Sequence, residues 1–353
     1  MGDAGAAVVA VTGASGFLGA WLVAVLVDQG FRVRGTVRDV DAASKWLPET
    51  LPEHARGRLE LFQADLLKKE SFDEAFSGAD FVVHAAAPVS TAKPRNPQKV
   101  LIEPMVKGTA NVLQAAARAG TVKRVVMTSS TTAVSAGPLE RGKHGNHMYT
   151  AEDWSTVSIK DSPYAVGKRS SEQAAWDLAE KLDLELVTIL PGIMFGPCKD
   201  PNRNNTGTNL IRAYINGSYP VVVNLSMPSC DVETVAKLHA AALQTPSAAG
   251  NRYLVAQEST IRDLLNALRS SFPDRARKLP RWFLPKPVAK VMSHCLPLPT
   301  YLARQIDVPW TFDYGPAQQD LGFEPSDLGS VVCAVAKQLI DEGDLSKSKN
   351  LKF

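Results

Sequence analysis

The chain has 353 residues, of which 45% are hydrophobic and 21% charged, the ordinary balance of a globular protein with room for one large α/β unit or two lobes. A net charge of +3, with no stripe of Lys and Arg interleaved with aromatics, gives no ground for a nucleic-acid partner, although a local positive site for an anionic ligand stays open. Four scattered cysteines (Cys198, Cys230, Cys295, Cys333) form no CxxC pair, which argues against a disulfide framework or a zinc site and predicts free thiols in a reducing compartment.

The first apolar run, residues 7–11, follows Met1 too closely for a signal peptide, and no run of about 18 apolar residues marks a membrane span. A cytoplasmic protein without a membrane partner is expected. Further apolar runs at 33–37, 59–63, 81–86, 124–127 and 184–190 suit strands of a parallel sheet covered on both faces. Between the first two, Phe17, Leu18, Trp21, Leu22, Val25 and Leu26 repeat with helical period, and Gly30 offers a left-handed cap. Strand and helix alternate, so the predicted fold is a doubly wound parallel α/β sheet of the Rossmann kind. Beyond Pro191 the pattern breaks into polar and Pro-rich stretches. We therefore expect a nucleotide-binding domain over 1–190, with 228–250 returning to the sheet, and a smaller, irregular substrate lobe over most of 191–353.

Directly after the first strand stand Thr12, Gly13, Ala14, Ser15, Gly16, Phe17, Leu18 and Gly19, a GxxGxxG loop opening a helix. The first glycine makes a tight turn, the second lets a pyrophosphate approach the backbone, and the third lets helix and strand pack closely. Free N–H groups at the helix start face the phosphates. The second strand ends at Arg38, with Arg34 and Lys45 close in sequence. An NAD site carries an acid here for the ribose hydroxyl, whereas cations suit the 2′-phosphate of NADP(H). Asp39 follows Arg38, and Asp65 closes the third strand, where it faces an adenine or caps a helix.

The fifth strand ends in Thr128, Ser129 and Ser130, at the sheet edge where open α/β folds bind ligands. Ser162 is a predicted N-cap and Pro163 a first helical residue, so Tyr164 and Lys168 fall at i and i+4 on one helix face. A phenol with its ordinary pKa near 10 needs its phenolate stabilised by roughly 4 kcal/mol to titrate near pH 7. The neighbouring ammonium is expected to act in that direction, as is the positive ring of an oxidised nicotinamide. A serine hydroxyl on the substrate oxygen would hold a carbonyl for hydride attack.

These motifs, with His84–Pro88, Glu172–Trp176, the run from Pro191 to Pro197, Trp154 and the closing stretch 320–325, resemble the extended short-chain dehydrogenase/reductases. The likeness is strongest to the branch of dihydroflavonol reductases, cinnamoyl-CoA reductases and microbial aldehyde/ketone reductases. It covers about residues 6–260 closely. The resemblance implies Ser130 as the carbonyl-binding hydroxyl, Tyr164 as acid/base and Lys168 as its partner. It implies Gly13, Ser15, Gly16, Phe17 and Leu18 along the pyrophosphate and ribose, and Arg38 and Lys45 at the 2′-phosphate. Asp65 and Leu66 would lie at the adenine, Ala85, Ala86 and Ala87 along the cofactor, and Pro191 and Ile193 at the nicotinamide. Two departures stand against the plant phenolic substrates. The cinnamoyl-CoA reductase signature around the tyrosine is replaced by Ser162 to Gly167, and Ser135 stands where dihydroflavonol reductases have a substrate-holding Asn.

The expected function is NADPH-dependent reduction of an aldehyde or ketone, or the reverse oxidation. A sterol-type dehydrogenase, a nucleotide-sugar epimerase or dehydratase, and a non-catalytic dinucleotide sensor remain alternatives; the sensor has no need of the Ser–Tyr–Lys set. Arg203 and Arg212 leave a sugar diphosphate site open. His144 and His147 are expected to be loop histidines rather than metal ligands, and no metal is expected. His84 is expected to pack or hydrogen-bond, and Trp282 and Phe283 either line a pocket or anchor the lobe.

Overall fold

Five apolar segments build the first half of a parallel sheet: β1 (Val8–Thr12), β2 (Arg32–Val37), β3 (Leu59–Gln63), β4 (Phe81–His84) and β5 (Arg124–Thr128). The computed structural model describes residues 5–88, 95–140, 147–200, 205–292 and 305–345. A short β6 (Met148–Tyr149) lies outside the sheet, which is completed by β7 (Glu185–Pro191) and β11 (Arg252–Val255). The order is β11-β7-β5-β4-β1-β2-β3, every pair parallel, so the order reverses between β1 and β4. Doubly wound folds bind ligands outside the carboxyl ends of the strands at that reversal.

Side chains alternate across each strand, and both faces are covered. Val9 and Val11 of β1 pack with α1 (Phe17–Asp28) and α7 (Val232–Gln244). Val8 and Ala10 pack with α4 (Glu103–Ala119) and α5 (Pro163–Leu182). Helix α1 is apolar nearly all round because α7 covers it on the far side. Gly30 follows its end at φ +91°, the left-handed conformation expected there. Two short helices, α2 (Val40–Ser44) and α3 (Asp73–Phe76), follow β2 and β3. The fourth strand stops at His84 rather than residue 86. The Ala86 N–H donates to Thr12 Oγ1 at 3.1 Å, which draws the chain off the ladder.

Three of the remaining helices form a lobe with its own core: α6 (Thr206–Ile215), α8 (Ile261–Ser271) and α11 (Leu328–Asp341). Before α11, α9 (Lys286–Met292) buries Ala289 against Ile306 in a small separate cluster, and α10 (Gly315–Leu321) returns to the sheet, where Ala317 and Leu321 join the core of α7 and β11. Ile261, Leu264, Leu265 and Leu268 make one buried stripe of α8, which a Thr260–Asp263 capping box starts. These residues pack on Ile211, Val332, Val335 and Leu339. Three parallel pairs complete the chain: β8 (Ile193–Phe195) with β10 (Ser229–Asp231), β9 (Val221–Val222) with β12 (Trp282–Phe283), and β13 (Thr311–Phe312) with β6. His144, Arg203, Cys295 and the Lys-rich tail from Ser346 lie outside the described residues.

Candidate active site

Gly13 turns the chain out of β1 at φ +70°, and a Cβ there would stand 3.0 Å from the Ala86 backbone. The first glycine is therefore fixed by the close approach of β1 and β4 at the reversal point. Gly19 has no room either, since its Cβ would fall 2.0 Å from the Gly13 carbonyl oxygen. That contact lets α1 begin directly above β1. Gly16 is exposed and caps α1 without any side-chain hydrogen bond, so the first N–H groups of the helix stay free for an anion. Ser15 and Phe17 are half-buried beside it, and Leu18 is buried.

Arg38 leaves the carboxyl end of β2 exposed, and Lys45 is exposed at the end of α2. Among the described residues, no carboxylate pairs with either cation. Asp39 is spent on the α2 cap, accepting from the Ala42 N–H at 2.9 Å. Asp65 Oδ1 accepts from the Leu67 N–H at 2.9 Å, so the carboxylate holds its own turn. Leu66, Ala86, Ala87 and Lys168 line one small cavity with His84 and Thr128, between the ends of β4 and β5. Ala85 lies at the end of β4 just before them. Pro191 ends β7 in the core, and its carbonyl accepts from Thr131 Oγ1 at 3.4 Å; Ile193 opens β8, half-buried. The predicted residues thus gather along one edge of the sheet.

Ser162 caps α5, accepting from the Ala165 N–H at 3.3 Å, and Pro163 is its first residue, as the sequence predicts. Tyr164 and Lys168 follow one turn apart. The three hydroxyls at the end of β5 diverge. Thr128 Oγ1 meets His239 Nε2 at 2.8 Å, and Ser129 Oγ donates to Glu172 at 2.6 Å. Only Ser130 turns toward the tyrosine, and its hydrogen bond favours the Tyr164 phenolate. Ser130 Oγ accepts from the Thr132 N–H and Oγ1 at 3.2 and 2.9 Å, so its own proton is the one offered toward the Tyr164 oxygen.

The electrostatics correct one expectation. Burial pushes Tyr164 up to about 12, against the Ser130 hydrogen bond. Burial disfavours the phenolate, and the Lys168 ammonium is directed elsewhere, to the carbonyls of Thr128 and Ser129 at 3.3 and 3.4 Å. Without a ligand, Tyr164 is therefore held in its protonated form. Burial also lowers Lys168 to about 8, with the Glu172 charge opposing it. Burial, reinforced by Lys168, lowers His84 to about 3, so it is neutral and links Thr12 Oγ1 (2.9 Å) to Thr109 Oγ1 (3.4 Å).

Residues 9–256 match the NAD dependent epimerase/dehydratase family. The chain belongs to that family. Cinnamoyl-CoA reductase 1 of Petunia hybrida is 38% identical over 271 residues, covering 76% of this chain and 78% of the relative. The bifunctional dihydroflavonol 4-reductase/flavanone 4-reductase of Pyrus communis is 32% identical over 279 residues, covering 75% and 77%. Among solved structures, Gre2 of Candida albicans in complex with NADPH is 26% identical with a TM-score of 0.78, covering 95% of this chain and 99% of that one.

Within this epimerase/dehydratase-family chain, Glu172 belongs to a quoted motif, Glu172–Trp176, that gives it no role in the site. It lies one turn beyond Lys168 and is 0% exposed. It accepts from Ser129, from Thr188 Oγ1 at 2.9 Å, and from Arg252 Nε at 2.8 Å. The Arg252 guanidinium stacks 3.7 Å over the ring of Trp154. The signal was a Tyr164, Lys168, Glu172 stripe at fourfold spacing, an acid on a face that must be buried. Elsewhere, Ser135 donates to the Gly137 carbonyl at 2.8 Å and accepts from Trp310 Nε1 at 3.2 Å, so its hydroxyl is committed to the fold. His147 lies 3.5 Å from Asp153 and edge-on to Tyr149.

A lysine lowered to about 8 keeps its charge below that pH and loses it above. If the Lys168 ammonium is needed, kcat/KM should be flat from about pH 6 and fall with unit slope on the alkaline side near pH 8. A profile flat to about pH 10 would show that the charge has no part in turnover.

Proposed function

We propose that this chain is an NADP(H)-dependent oxidoreductase that reduces an aldehyde or ketone, with Tyr164 as proton donor, Ser130 as carbonyl holder and Lys168 as the cation behind them. The observation that carries this reading is the placement of Ser130 and a protonated, half-buried Tyr164 at the sheet edge that also presents the glycine loop. The tight turn at Gly13, the uncapped start of α1 and Arg38 and Lys45, unpaired among the described residues, fit a dinucleotide with a 2′-phosphate. Bound NADPH would supply the hydride. The protein's part is to fix the carbonyl oxygen through Ser130 and to protonate it from the Tyr164 hydroxyl as negative charge develops. The reductase names of the plant relatives and the NADPH of the Candida structure support the same reading.

The epimerase alternative loses one of its supports. Arg212, 3% exposed, is held by Asp344 at 3.0 Å in the lobe core, so it is not available to a sugar diphosphate. Ser135, committed to the fold, does not take the place of the substrate-holding Asn of the dihydroflavonol reductases. A small carbonyl compound remains the proposed partner and the cytoplasm the proposed location. Among the described residues, no helix is long and apolar enough to cross a membrane.

The test is oxidation of added NADPH, followed by absorbance across aldehydes, α-keto esters and bulky ketones, with mass analysis of the protein as isolated. Stoichiometric consumption and little retained cofactor are expected. Bound NAD⁺ with UDP-sugar turnover and no net absorbance change would overturn the reading. A charge-assisted pair contributes about 1.5–3 kcal/mol, so Arg38→Ala should lower kcat/KM with NADPH roughly ten- to a hundredfold and barely affect NADH. Equal loss with both cofactors would make Arg38 structural.

A further inference from the structure

Between Asp274 and Asp307 the sequence holds seven Lys and Arg and no acid, although the whole chain is nearly balanced at 39 cations against 36 anions. The overall charge conceals this local excess. Within it, Arg277, Lys278, Arg281 and Lys286 are exposed, and Arg275 is half-buried. None of the five side chains has a hydrogen-bond or ion-pair partner among the described residues. Arg262 adds a cation from α8, stacked 4.2 Å over Phe283. The nearby Asp263 is occupied by the α8 capping box, and Asp307 by Asn224 at 2.8 Å.

The same segment exposes apolar surface. In the β9–β12 ribbon, Val222 is paired with Phe283, and both pack on the lobe core. Alternation turns the other pair, Val221 and Trp282, outward. A solvated ribbon face should be polar there. Instead Val221 is 45% exposed and Trp282 73%, the most exposed large hydrophobic side chain among the described residues. Pro285, Pro287 and Val288 continue the exposed surface into α9.

We propose that this face, Val221 with residues 277–288, docks on an anionic phospholipid surface. Trp is the side chain suited to the headgroup region, with an apolar body and a polar N–H. Unpaired Lys and Arg around it supply attraction to an anionic leaflet. A nucleic acid would be served by several stacking aromatics, whereas Val221 and Val288 offer it nothing. A second copy docking on the same face would bring like charges together. The expectation of no membrane partner rested on the lack of a spanning segment, which does not bear on surface contact.

The full chain should sediment with phosphatidylcholine vesicles containing roughly 30 mol % phosphatidylserine, not with phosphatidylcholine alone, and about 0.5 M NaCl should release it. Replacing Arg277, Lys278, Arg281 and Lys286 together with Gln should weaken partitioning by roughly a hundredfold or more. Trp282→Ser should weaken it severalfold and keep the salt dependence. All five positions are exposed, so the melting temperature of each variant should match the parent and separates loss of docking from loss of fold. Failure to sediment with the anionic vesicles, or equal sedimentation of the fourfold variant, would overturn the proposal. Tighter capture by a single-stranded oligonucleotide than by the vesicles would overturn it in favour of nucleic acid.

Discussion

Tyr164→Phe is expected to lower turnover by about a thousandfold or more while leaving the NADPH dissociation constant within about twofold, because positioned acid catalysis is what the hydroxyl supplies. The substitution removes one oxygen from a half-buried ring and keeps the ring's packing. No neighbour can take over. Ser130 can donate a hydrogen bond but not release its proton at neutral pH. His84 is held neutral by a pKa near 3, and its two ring nitrogens are engaged by Thr12 and Thr109. Lys168 is directed to the Thr128 and Ser129 carbonyls. Lys168→Met should weaken both turnover and cofactor binding, so the pair of variants separates proton donation from binding. Single-turnover rates and fluorescence titration of NADPH measure the two quantities. A Tyr164→Phe enzyme within about tenfold of the parent would remove the tyrosine from the chemistry.

What the sequence disclosed is what lies within one stretch of chain. Gly13 and Gly16 sit between a strand and a helix, and the Tyr164–Lys168 spacing is one helical turn, so local geometry follows from local spacing. The six apolar runs placed the strands of the sheet to within one or two residues for the same reason. The seventh strand, β11, pairs with β7 across the intervening α6 and α7 and was not marked by its short run. The fate of the hydroxyls on Thr128 and Ser129 was equally hidden, because it depends on His239 and Glu172, which are 111 and 43 residues further on. The burial that pushes Tyr164 up was hidden as well, because a neighbour at i+4 is visible in sequence and the packing around the ring is not. Ser135 could be aligned but not judged, since its partner Trp310 arrives from the other end of the chain.

Arg252→Met is expected to destabilise the fold by about 3–5 kcal/mol, the cost of leaving a buried charge without its partner. Glu172 is 0% exposed and would retain only the hydroxyls of Ser129 and Thr188 and the Trp176 indole N–H as donors. The guanidinium also donates to the carbonyls of Ala151 and Asp153, so its removal frees the segment that carries Trp154. Glu172→Gln should cost less than Arg252→Met, because the amide keeps the shape and one acceptor while Arg252 keeps its backbone partners. Replacing both residues by apolar ones removes the stranded charge, so the double variant should be more stable than the sum of the single losses predicts. The hydroxyls of Ser129 and Thr188 would then lose their acceptor, which keeps the double variant below the parent. Denaturant unfolding of the parent, both single variants and the double variant gives the coupling directly. A coupling below about 0.5 kcal/mol would mean that Glu172 and Arg252 act independently. A strong coupling together with a kcat loss in Glu172→Gln would make Glu172 a positioning residue, acting through Ser129 on the carbonyl that holds Lys168.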